Sequence, residues 1–211
     1  GEPQKEITYD NKTFKQIPIA GDGDCLFTSV LTGYLMIDKV NWDSMIDKTR
    51  INIGNIGLND GNTAIKFTDA NIRSMVQNYV CRKRDEIQET KECFFNKLSQ
   101  EKIKEISELR PNDYGGDNEL IVLSHILNKQ IVVIKPYNNR VTHRVFDSNF
   151  CENTEENLTN LLNQAVDNTE PIILHNVGGE KLQHSAGEHF NLLLTQEQYN
   201  KFKIIIQRME N

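Results

Sequence analysis

A chain of 211 residues, 37% hydrophobic and 26% charged, is long enough to bury one core and polar enough outside for a globular protein in water. Its net charge of −6 argues against nucleic acid as the main partner, and no stretch approaches the ~20 apolar residues of a membrane span. The four cysteines, at 25, 81, 93 and 151, are too sparse for a disulfide framework and show neither CxxC nor Cys/His zinc spacing. A single domain over residues 1–211 with reduced thiols is expected.

In chain order, KTFKQIPIA reads as an extended approach ending in a glycine turn. From Cys25 the apolar residues Leu26, Phe27, Val30, Leu31 and Tyr34 recur at helical spacing. Asp24 stands where an N-cap carboxylate would accept an orphan N–H of the first turn. Residues 36–68, with INIGNIGLNDGN, read as a loop-rich insertion with one short helix. Ile72, Met75, Val76, Tyr79 and Val80 mark a helix opened by Thr68 or Asp69. Residues 86–110 read as one or two helices broken near Ser99, and EKIKEISELR as a plain charged face. RKR at 82–84, followed at once by Asp85 and Glu86, reads as a solvated helix end.

YGGDNELIVLSHILN is a glycine turn entering a helix with Leu120, Leu123, Ser124 and Leu127 inward and Glu119 as capping-box partner. QIVVIKP, VTHRVFD and PIILHN are strands, the first two joined by a hairpin at YNNR. Residues 155–166 form a weak helix, HFNLLLT the last strand, and QEQYNKFKIIIQRM a terminal helix or strand. The fold class is α/β (α+β), with helices first and a mostly late sheet.

The stretch GDGDCLFTSV carries the chemistry. A free cysteine is ordinarily a small buried hydrophobe. A thiol is nucleophilic only as thiolate, and the first turn of a helix favours the anion through its unpaired N–H groups and dipole. Gly21 and Gly23 let backbone amides line a concavity of the kind an oxyanion requires. Cys81, Cys93 and Cys151 have no such setting and read as passive.

A nucleophile needs a base, and the histidines are 125, 143, 175, 184 and 189. His125 falls within a helix, His143 in a hairpin, His175 at a strand end and His184 in a Gly/Ser loop. His189 opens the strand HFNLLL beside the SAGE turn. Residues i and i+2 of a strand share a face, so Asn191 stands beside His189 while Phe190 and Leu192 point away. An amide there can accept the imidazole N–H and fix its tautomer, completing a Cys–His–Asn set.

GDGDCLFTSV, YGGDNELIVLSHILNKQIVVI and GEHFNLLL, in that order, resemble the ovarian tumour (OTU) family of cysteine proteases, which are mostly deubiquitinases. The first block fits the family's Asp-Gly-x-Cys-Leu-[Phe/Tyr]-x-Ser signature, the second its Gly-Gly-x-x-Glu-Leu stretch, and the third its His-aromatic-[Asn/Asp] end. Tyr114 stands where the family more often has Trp. The resemblance spans residues 16–195 and implies a papain-like fold, a central mostly antiparallel sheet between helical layers. It implies Cys25 as nucleophile, His189 as general base and Asn191 as its orienting partner. Asp22 falls on the family's loop aspartate, counted either in the triad or as shaping the oxyanion hole. The backbone N–H groups of Gly23, Asp24 and Cys25 become the candidate oxyanion donors.

By the same resemblance the substrate is ubiquitin or polyubiquitin, cleaved after its last glycine, with no metal or organic cofactor. Residues 36–110, which match no block, are the expected ubiquitin-holding region. Two other readings stay open: a same-fold cysteine enzyme acting on another modifier, and a weakly active ubiquitin-binding module, against which the intact Cys/His/Asn set argues. The protein is expected to be a cytoplasmic monomer. GEPQKEITYD lacks the basic and apolar regions of a secretory signal. The Asn, Ile and Lys bias hints at an AT-rich genome, and so at a bacterial effector acting in a host cytosol.

Overall fold

The computed structural model describes residues 6–21, 23–45, 53–54, 66–67, 70–87, 100–110, 113–137, 140–146, 170–177 and 189–210. Strands β1 (Glu6–Tyr9) and β2 (Lys12–Ile17) form an antiparallel hairpin. Its two turn residues, Asp10 and Asn11, have φ of 52° and 62°, the left-handed pair that matches strand twist in a two-residue turn and that Asp and Asn tolerate best. This hairpin corrects the expectation that helices come first and makes the extended approach a paired strand, while the other four strands of the sheet lie late in the chain, as expected. Phe14 is buried on one face of β2 and Ile17 on the other, so each face has one apolar anchor and the strand shows almost no alternation.

The main sheet has the order β1-β2-β8-β7-β5-β6, where β5 is Ile131–Tyr137, β6 Arg140–Phe146, β7 Ile172–Val177 and β8 His189–Leu194. Of its pairings only β5 with β7 is parallel. The β5–β6 hairpin closes at Tyr137 opposite Arg140, as YNNR predicts. Strands β3 (Ile53–Gly54) and β4 (Lys66–Phe67) make a separate small pair.

Helix α1 (Cys25–Ile37) is buried at all its positions, the mark of a helix that is core on every side. It lies so close to the sheet that a Cβ on Gly33 would sit 2.7 Å from Ile172 Cγ2 and 3.1 Å from Leu192 Cδ1. The short helix expected in 36–68 is α2 (Lys39–Met45). Helix α3 (Ala70–Ile87) buries Ile72, Val76 and Val80; Thr68 and Asp69 lie outside the described residues. Helix α4 (Gln100–Ser107) begins just after Ser99, itself outside them. Its charges are exposed, but Ile103 and Ile106 are buried, so EKIKEISELR is amphipathic rather than a plain exposed face. Gln77 of α3 holds its end by donating to the carbonyls of Ile106 and Leu109.

Helix α5 (Asp117–Leu127) buries Leu120, Leu123, Ser124 and Leu127 as predicted. Its capping contact forms, with the Gly116 N–H donating to the Glu119 carboxylate at 2.7 Å. Burial pushes the Glu119 carboxyl up from its ordinary value, and that hydrogen bond opposes the push. The C-terminal segment is helix α6 (Gln196–Glu210). The weak helix expected at 155–166 lies outside the described residues. Apolar residues of α1, α3, α4, α5 and α6 join one large cluster with Leu192, Leu194, Leu174 and Ile172. Phe14, Val132, Ile134, Val145, Ile173 and Leu193 form a smaller one.

Replacing Gly33 by Ala tests the approach of α1 to the sheet. Alanine favours a helix by roughly 1 kcal/mol over glycine, but the β-branched Ile172 is fully packed and overpacking costs about 1–3 kcal/mol. Gly33→Ala should therefore lower stability in denaturant unfolding, and Ile172→Ala in the same chain should make the Gly33→Ala step less costly.

Candidate active site

Helix α1 begins at Cys25, and its first turn closes with the Thr28 N–H donating to the Asp24 carbonyl at 2.8 Å. The cysteine is 1% exposed. Asp24 occupies the N-cap position with φ −93° and ψ 4°, but its carboxylate makes no capping bond. It pairs instead with Arg73 of α3, whose Nη2 donates to Asp24 Oδ1 at 2.5 Å and to the Gly23 carbonyl at 3.3 Å. The cap expected from the sequence is thus corrected: a buried guanidinium takes the anion in place of the first-turn N–H groups. Asp22 lies outside the described residues.

His189 and Asn191 share a face of β8, as their spacing requires, and Phe190 and Leu192 turn into the large core. His189 Nε2 lies 2.9 Å from Asn191 Oδ1. The same oxygen accepts the Ile19 backbone N–H at 2.9 Å. A backbone N–H can only donate, so this atom is the amide oxygen rather than the nitrogen. His189 must then be the donor at Nε2, which leaves Nδ1 as the nitrogen able to take a proton.

The amide nitrogen is held as well. Asn191 Nδ2 donates to Gln16 Oε1 at 3.1 Å, and His175 Nδ1 reaches the same oxygen at 2.7 Å. His175 is the direct cross-strand partner of Asn191, and Gln16 that of Leu193, so all three side chains share one face. Burial, followed by the neighbouring His189, lowers the His175 pKa below its ordinary value. That shift favours the neutral ring, and because the Gln16 amide oxygen can only accept, His175 donates to it from Nδ1. Gln16 and His175 were not singled out in the sequence, because the β2–β8 and β7–β8 registers that bring them to Asn191 cannot be read from either strand alone.

Both flanks of Cys25 are tied to β8. Before it, the Ile19 N–H binds Asn191. After it, Ser29, one helical turn on, donates its hydroxyl to the Phe190 carbonyl at 3.2 Å. The nucleophile candidate is thereby placed between two anchors on adjacent residues of the strand that carries His189. Other histidines are engaged elsewhere: His125 with the Tyr79 hydroxyl, and His143 with that of Tyr9. His184 lies outside the described residues. Cys81 is free and exposed, and Cys93 and Cys151 lie outside the described residues. Among the described residues no cluster of three His, Cys, Asp or Glu side chains forms a metal site, and no helix is long and apolar enough to cross a membrane.

A solved OTU deubiquitinase from Wolbachia pipientis wMel is similar in fold, with a TM-score of 0.52 and 15% identity over 89% of this chain and 95% of that one. The same deubiquitinase bound to ubiquitin gives 0.51 and 14% over 87% and 97%. The viral OTU domain protease of Qalyub virus gives 0.42 and 15% over 90% and 96%. A comparison with curated protein sequences gave no match. The family pattern of OTU-like cysteine proteases matches residues 20–159, which include the Cys25 turn and the YGGDNEL stretch and stop short of β8. That match covers more than half of the chain, and with the six-stranded fold it shows that the chain belongs to the OTU-like cysteine proteases.

Proposed function

We propose that the protein is a deubiquitinase that cleaves the isopeptide or peptide bond after the C-terminal glycine of ubiquitin. The observation that carries this reading is the fixed tautomer of His189, with Nε2–H bound by Asn191 and Nδ1 left basic, in a chain whose family cysteine opens α1. His189 Nδ1 takes the Cys25 proton, and the thiolate attacks the carbonyl carbon of the terminal glycine. The oxyanion is met by backbone N–H groups of Gly23, Asp24 and Cys25. The imidazolium returns its proton to the departing amine, and water, deprotonated by His189, hydrolyses the thioester. Asn191 orients the imidazole, and Asp22 shapes the turn before the nucleophile.

A fold relative crystallised with ubiquitin supports the choice of substrate. Residues 36–110 are proposed to carry ubiquitin's globular body. The three matched blocks are too small for the roughly 800 Å² per side that a protein partner needs, and α3 already reaches the Cys25 turn through Arg73.

Ubiquitin carrying a thiol-reactive C-terminal warhead should form an adduct on Cys25, mapped by mass spectrometry, and Cys25→Ala should abolish it. Cys81→Ala should leave it intact, although Cys81 is the more exposed thiol. Labelling by another modifier's warhead with ubiquitin inert would keep the enzyme class and overturn the substrate.

The two candidates for third catalytic residue should separate by readout. Asn191→Ala frees the imidazole, so both Cys25 alkylation by a small haloacetamide and turnover should fall, by about 10- to 100-fold. Asp22→Ala should reduce turnover far more than alkylation, because alkylation develops no oxyanion. Equal loss of both rates in the two variants would show that Asp22 acts through the thiolate or His189.

A further inference from the structure

Arg73 stands in the part of the chain that matched no sequence block, yet it is 5% exposed and faces the turn before Cys25. It sits three and seven residues before Val76 and Val80, on the buried stripe of α3. Its guanidinium lies over the Phe27 ring of α1 at 4.5 Å from the centroid, and a Cβ added to Gly115 would sit 3.2 Å from that ring. The Cys25 turn and the start of α1 therefore meet on one arginine of α3.

We propose that Arg73 is a positioning residue for the reaction, holding the Gly23–Asp24 peptide plane and so aiming the Asp24 N–H at the oxyanion. This rests on the reading of Cys25 as nucleophile. The peptide is trans, and in a planar trans peptide the carbonyl and the following N–H point in opposite directions. Binding the Gly23 carbonyl thus sets the direction of the Asp24 N–H. Binding the Asp24 carboxylate with the same nitrogen stops the plane from turning, since both acceptors belong to adjacent residues. The device is a costly way to fill space. Among the described residues Arg73 Nη1 is buried with no hydrogen-bond partner, and an apolar side chain would serve packing alone without that penalty.

The test uses the full chain and the variants Arg73→Met and Arg73→Lys. Three quantities are measured: kcat and KM on a fluorogenic C-terminal amide of ubiquitin, the Cys25 alkylation rate by haloacetamide resolved by peptide mapping, and amide exchange over residues 23–28. In Arg73→Met, kcat should fall about 10- to 100-fold while KM and alkylation stay within roughly threefold. Exchange at 23–25 should quicken, and Arg73→Lys, which keeps charge and donors, should recover part of the kcat. Wild-type kcat in folded Arg73→Met overturns the proposal, and so does a loss of alkylation as large as the loss of kcat. If Arg73→Met does not fold, Arg73→Gln is read in its place, and failure of both to fold makes Arg73 structural and also overturns it. If the wild type neither turns over ubiquitin nor takes its warhead, the functional reading fails instead; amide exchange needs no substrate, and unchanged exchange at 23–25 then rejects the role of Arg73.

Discussion

The Ile19 N–H is a donor that cannot reverse, and the site inherits its polarity. Because it points at Asn191, the amide of Asn191 can face only one way, with oxygen toward Ile19 and His189 and nitrogen toward Gln16. An amide that flipped would set its NH₂ against both the Ile19 N–H and the protonated nitrogen of His189, leaving donors opposed to donors in a buried place, at a cost of about 1–3 kcal/mol for each unmet group. That asymmetry is passed along the chain of contacts to the imidazole, where it becomes a choice of tautomer. Gln16 and His175 guard the other end of the amide. A neutral His175 suits that place, because an imidazolium there would stand beside His189 and resist its charging.

Cys25, the proposed nucleophile, is held by different physics. Helix α1 is buried along its whole length and pressed against β7 and β8 at Gly33. A helix seated in this way cannot slide or rotate without opening voids, which close-packed interiors penalise. Ser29 adds a polar fix where packing is non-directional, since its hydroxyl must find the Phe190 carbonyl. Apolar packing sets the depth of Cys25, and two hydrogen bonds to neighbouring residues of β8 set its register relative to His189.

How much of this the sequence discloses follows from how local each signal is. Helix α1, helix α5 with its Glu119 cap, β7 and β8 could all be read because their periodicity or capping lies within a dozen residues. The His189–Asn191 pair is equally local, two residues apart on one strand. The β1–β2 hairpin escaped because its faces each bury a single large residue, although Asp10–Asn11 is a turn signal in plain view. Gln16, His175 and Arg73 escaped for another reason. Their partners lie 175, 16 and 49 residues away, and only strand register or helix packing decides that they meet. A polar residue within an apolar stripe, as Arg73 is, was the one local trace of a long-range partner.

Burial of the thiol also bears on what can reach it. At 1% exposure, Cys25 offers little surface to a substrate, so the proposed reaction favours an acyl group without bulky side chains. For the proposed substrate, a chain end made of glycine would be the thinnest acyl group that a ribosomal protein can present. Such a thin group offers almost no surface to grip, and the energy that holds it in place must come from contacts remote from the bond. In the proposed reaction the two tasks would fall to different parts of the fold: strand β8 and helix α1 would fix the proton-handling and nucleophilic atoms, while α3 and its neighbours would supply surface. Arg73, rooted in α3 and bound at Gly23 and Asp24, is the place where those two parts of the chain touch.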